Sequence, residues 1–67
     1  MILDEVVEWF GNQNRMARRL GVTRAAVSSW VISNTLPAAR AIQIERLTNG
    51  VFKAVDLPTI NGTDSYE

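Results

Sequence analysis

Residues 15–30, RMARRLGVTRAAVSSW, place a helix-stop residue and a helix-start residue two positions apart, and this spacing constrains the fold more than any other feature of the chain. Gly21 suits the left-handed residue that follows a helix end. Thr23 suits the N-cap of the next helix, where its hydroxyl accepts an otherwise unpaired backbone N–H. Upstream, Asn12 is a natural N-cap for NQNRMARRLG, in which Met16, Ala17 and Leu20 form an inward stripe. Downstream, Ala26, Val27, Trp30 and Val31 gather on one side of RAAVSSWVI, and Arg24, Ala25, Ser28 and Ser29 occupy much of the other. The stretch therefore predicts two helices joined by a tight turn, not one helix with a defect at Gly21.

The rest of the chain fits short helices around that pair. In ILDEVVEWFG, Leu3, Val6, Val7 and Phe10 follow the spacing of one helical face, and Gly11 supplies a stop. SNTLP is a loop, with Pro37 suited to the first position of a helix through PAARAIQIERL. Ala41, Ile44 and Leu47 form its face, which Ala38 and Ile42 widen. Asn49 and Gly50 either end this helix or begin a hairpin. VFKAVDL reads both ways: Val51, Phe52 and Val55 suit a short amphipathic helix, while β-branched and aromatic content after Asn-Gly suits a strand. The helical reading is favoured, because IQIERL before the turn carries Glu and Arg at good helical positions. TINGTDSYE is polar and turn-rich, which predicts a loosely held tail. The expectation is an all-α domain over residues 1–57, with about five short helices and a flexible tail over residues 58–67. The alternative is an α+β domain with a C-terminal β-hairpin.

Composition excludes several functions. With 67 residues the chain suits one domain, since at this size folding buries only about 60% of the surface that the unfolded chain exposes. There is no cysteine and no histidine, which removes disulfides, thiolate chemistry, histidine bases and the usual zinc ligand sets. No apolar run approaches the roughly 20 residues of a membrane span, and the N-terminus is acidic where a secretory signal would be basic. A soluble intracellular protein, with no cofactor, metal or small-molecule substrate, is expected. Asp4, Glu5 and Glu8 form the acidic cluster, most simply the wet face of the first helix, and no partner base accompanies them. Trp9, Trp30 and Phe52 are expected in the core rather than as stacking platforms for single strands.

The net charge is zero, yet residues 9–44 carry Arg15, Arg18, Arg19, Arg24 and Arg40 against no acid. A basic patch acts locally, within a Debye length of about 8 Å, so this distribution points to nucleic acid where the total does not. A solvated arginine-rich helix face accounts for the same charges. The pattern from Gln13 to Ile32 decides in favour of DNA. A DNA-binding helix-turn-helix needs a small residue where its helices touch, met by Ala17, and a turn residue tolerant of positive φ, met by Gly21. It also needs buried positions, met by Met16, Leu20, Val22, Val27 and Trp30. A hairpin used only for packing would not need the outward face of its second helix to be short and polar.

That face supplies the candidate base readers. Arg24 can donate a bidentate pair to guanine, Ala25 can meet a thymine methyl, and Ser28 and Ser29 suit either donor or acceptor edges. Gln13, at the start of the first helix of the pair, and Arg15, Arg18 and Thr23 are the candidate phosphate contacts. Arg19 and Arg40 are weaker candidates.

FGNQNRMARRLGVTRAAVSSW followed by LPAARAIQIERLTNG resembles the Cro family of bacteriophage repressors, in particular its small all-helical members, and related antitoxin-type domains. The likeness covers about residues 3–57, and its helix-turn-helix core is common to many DNA-binding repressors. The family's base-reading positions fall on Arg24, Ala25, Ser28 and Ser29, and its phosphate-contacting positions on Gln13, Arg18 and Thr23. The resemblance implies a homodimer on a two-fold symmetric operator that represses transcription. Some members carry a dimer-forming β-hairpin after the helix-turn-helix and others carry helices, so TNGVFKAVDL is also where the dimer mode is open. An antitoxin-type regulator and a helical interaction domain without DNA binding are the alternatives. The ten residues after Leu57 are short for a toxin-binding tail.

Overall fold

Acidic residues Asp4 and Glu5 in its first turn suit the positive end of helix α1, Ile2–Phe10, and its stripe of Leu3, Val6 and Phe10 is buried. The computed structural model describes residues 2–60 and falls into two compact units, the first ending at Asn34 and the second beginning at Thr35. The order of elements is α1, α2 (Gln13–Leu20), α3 (Arg24–Ser33), α4 (Ala38–Leu47) and a single 3₁₀ turn, Ala54–Asp56.

In the first unit α1, α2 and α3 all pack on one another. The chain leaves α1 through Gly11 at φ 117°, a conformation that costs a residue with a β-carbon dearly. Asn12 then caps α2: its Oδ1 accepts the Arg15 N–H at 2.8 Å. Met16, Ala17 and Leu20 are buried, as the inward stripe requires. At the other end of α2 the Val22 N–H donates to the Ala17 carbonyl and the Gly21 N–H to the Arg18 carbonyl, with Gly21 left-handed at φ 75°. These are the two bonds of a Schellman motif. Two residues on, Thr23 Oγ1 accepts the Ala26 N–H at 3.1 Å and α3 begins. The expected stop and start are both present, and each rests on hydrogen bonds local to the turn. Val27 is fully buried, whereas Val22 and Trp30 are only half-buried.

In the second unit Pro37 sits at the N-cap of α4, one position earlier than expected, and supplies no side-chain cap. Ala41 and Ile44 are buried and Leu47 half-buried, while Ala38 and Ile42 stay exposed. Asn49 and Gly50 end α4 with positive φ, the Gly50 N–H donating to the Glu45 carbonyl at 2.9 Å and the Asn49 N–H to the Arg46 carbonyl.

Beyond that point the structure corrects the helix count. There are four α-helices among the described residues, and the expected fifth is reduced to the 3₁₀ turn. The reason lies in two side chains. Buried Thr48 accepts the Phe52 N–H through Oγ1, and Glu45 Oε1 accepts the Ala54 N–H at 2.8 Å, so the backbone is tied into a turn before a helical ladder can start. Val51 and Val55 are exposed, at 61% and 86%, where an amphipathic helix would have buried them. The hairpin alternative is not seen: pairing among the described residues is limited to an isolated parallel bridge between Leu36 and Thr59. The Leu36 N–H donates to the Pro58 carbonyl and the Ile60 N–H to the Leu36 carbonyl, so the first three residues of the expected tail, 58–60, run beside the loop ahead of α4. The remainder of that tail, 61–67, lies outside the described residues.

Candidate DNA-binding surface

The outward side of α3 follows from its inward side. Val27 is buried and Ala26, Trp30 and Val31 are half-buried, which turns Arg24, Ala25 and Ser29 to solvent and leaves Ser28 half-buried at the edge. All four expected base readers thus share one face of one helix. Short side chains at Ala25, Ser28 and Ser29 leave the backbone of α3 free to approach another surface closely. Arg24 stands at the first position of the helix, beside the Thr23 cap.

The expected phosphate contacts lie on α2 and in the turn. Gln13, at the first position of α2, and Arg24, at the first position of α3, line a single open concavity of about 490 Å³ together with Val7, Gly11, Asn12 and Asn14. The N-terminus of α2 points its unpaired N–H groups and the positive end of its dipole toward that side of the molecule. Arg15 and Arg18 are exposed on the outward face of α2. Arg15 is folded back: a β-carbon placed on Gly11 would lie 2.9 Å from Arg15 Cδ and 3.1 Å from Nη1, so its side chain lies against the turn between α1 and α2. Thr23 uses an acceptor lone pair of its hydroxyl for the cap, and the hydroxyl proton remains to be donated outward.

Three features escaped the sequence reading. Arg19 is turned toward α1, with its guanidinium carbon 5.8 Å from the centre of the Phe10 ring, a cation–π contact. Trp9, expected in the core, is 45% exposed, and its ring meets Phe10 edge-on at 5.0 Å. Its position, off the stripe of Leu3, Val6 and Phe10, was a signal for this, outweighed by the apolar bulk of the side chain. Finally, Ile32 on α3 is 82% exposed.

Among the described residues no group of His, Cys, Asp or Glu is arranged to hold a metal ion, and no helix is long and apolar enough to cross a membrane.

A model of the family described as "DNA-binding transcriptional regulator Cro" matches residues 3–62. The chain belongs to the Cro family of DNA-binding transcriptional regulators. It is 36% identical over 53 residues to the "Regulatory protein cro" of Salmonella phage P22, a match that covers 79% of this chain and 84% of that protein. Among solved structures it is similar to the Cro protein from the putative prophage element Xfaso 1 in Xylella fastidiosa strain Ann-1, with a TM-score of 0.76 and 36% identity over 82% of this chain and 85% of the other. Membership in the Cro family bears out the resemblance drawn from the helix-turn-helix sequence, and the family is one of DNA-binding regulators, not of enzymes.

Proposed function

We propose that this Cro-family chain represses transcription as a homodimer that binds a two-fold symmetric operator in double-stranded DNA, with α3 as the recognition helix in the major groove. The observation that carries this reading is the combination on α3 of an unencumbered Arg24 at the N-terminal end with a face of short residues behind it, Ala25, Ser28 and Ser29. Residues near the N-terminus of such a helix reach base edges, and an arginine there matches the two acceptors of guanine. Gln13, Arg15, Arg18 and Thr23 act on the phosphates, which hold the protein in register but carry no sequence information. The shared concavity of Gln13 and Arg24 gives a base reader and a phosphate contact adjoining positions, so that seating one orients the other.

Selection of bound sites from a random duplex pool tests this reading. A palindromic consensus, with a guanine contributed to each half-site, is the expected result. Recovery of sequences with no consensus, at an affinity that only tracks salt, would reject sequence-specific recognition.

A further inference from the structure

Ile32 lies on the face that the proposed function turns toward DNA. At about 100° per residue, it projects between Ser28 and Ala25 and stands opposite the inward side defined by Val27 and Trp30. At 82% exposure it packs on almost nothing. Single exposed aliphatic residues are ordinary on protein surfaces, so exposure alone carries no message. Position does. Ile32 is a long, stiff, β-branched side chain in the middle of a stripe whose other outward members beyond Arg24 are an alanine and two serines. α3 separates apolar from polar residues least among the four α-helices, and Ile32 on its outward side contributes to that.

A side chain of that length would hold the end of α3 away from a polar groove floor unless an apolar group received it. The major groove offers one such group on its base edges, the thymine C5-methyl. Ile32 lies two turns beyond Ala25, about 10 Å further along the axis. With about 3.4 Å between base pairs, that places its target roughly three base pairs from the one met by Ala25.

We propose that Ile32 is a specificity residue that packs on a thymine methyl and extends each half-site beyond the base pairs read by Arg24, Ala25, Ser28 and Ser29. This inference rests on α3 being the recognition helix, and it assigns to that helix a contact at its C-terminal end.

The test pairs a protein variant with a base analogue. Sites are selected from random duplex with the wild-type chain and with Ile32→Ala, and the thymines of the wild-type consensus are then replaced by uracil one at a time. Wild type should show a thymine preference at one position of each half-site that Ile32→Ala lacks, with the preferences at the other positions unchanged. Uracil at that position should weaken wild-type binding about fourfold, the value of one buried methyl, and should leave Ile32→Ala unaffected. Because the side chain is exposed and alanine favours helix, the variant should keep the wild-type circular dichroism and urea midpoint, which separates lost contact from lost fold. An Ile32→Ala selection profile identical to wild type, with the uracil effect undiminished, would overturn the assignment while leaving the recognition helix intact. A wild-type chain that selects no sequence would overturn both.

Discussion

Under the proposed function arginine does three different jobs on this surface, and its neighbours, more than its charge, determine which. Arg24 is placed at the start of α3 among short residues, where a planar fork of donors can meet a base edge. Arg24→Ala is expected to weaken binding to the selected operator by about 1–3 kcal/mol and to relax preference at a single base position, measured by titration and by repeated site selection. Unchanged affinity and an unchanged consensus would mean that α3 does not read the groove as assigned. Arg18 is exposed on the outward face of α2, away from the base-reading stripe, and its charge should act on every duplex alike. Arg18→Ala should therefore weaken specific and random DNA by similar factors and reduce the log–log salt slope by about 1. A loss confined to the operator would move Arg18 into the base-reading set. Arg19, over the Phe10 ring, serves the packing of α1 and α2 instead. The charges were legible in the sequence, but the separation of Arg19 from Arg18 was not. It depends on which side of α2 faces α1, and that is fixed by tertiary packing.

The elements that the sequence made legible are those closed by bonds between near neighbours. Asn12 and Thr23 each cap a helix by accepting the backbone N–H three residues ahead, and Gly21 turns the chain out of α2 within the same few positions, so the residue types alone specify the geometry. Gly21 offers a test whose sign discriminates. In a continuous helix, Gly21→Ala would stabilise the protein by roughly 0.5–1 kcal/mol. With Gly21 left-handed at φ 75°, and nothing within 4 Å of an added β-carbon, the penalty is purely conformational. The variant should lose about 1–2 kcal/mol, seen as a lower urea midpoint at unchanged slope, with Gly21→Asn losing less because asparagine tolerates that region. Stabilisation by alanine would refute the two-helix turn. The segment after α4 was not legible for the converse reason. Its apolar residues Val51, Phe52 and Val55 suggested a helix or a strand, whereas its path is fixed by the Glu45 carboxylate holding an N–H nine residues away. A side-chain-to-backbone bond over that separation leaves no periodicity to read.

At the scale of the whole molecule, the difficulty for a 67-residue regulator is information. One helix in one major groove reads only a few base pairs, and even with Ile32 extending the footprint a single half-site recurs too often in a genome to mark one promoter. A net charge of zero also deprives the chain of the strong non-specific attraction that a basic protein could use to compensate. Two subunits joined by a two-fold axis remove both difficulties, since they double the length of sequence read and make the second contact intramolecular. Two-fold pairing of subunits has a geometric consequence. Recognition helices on one face of the duplex must be separated by about one helical turn, roughly 34 Å or ten base pairs centre to centre. Inserting five base pairs at the centre of the selected operator turns one half-site to the opposite face without altering any contacted base. Affinity should then fall to that of an operator with one half-site scrambled, while specificity within the remaining half-site persists. Both quantities can be read from the same gel-shift titration at fixed salt. Equal affinity for the intact and the expanded operators would show that the subunits bind independently, and the dimeric reading would fail even if every base contact on α3 were correct.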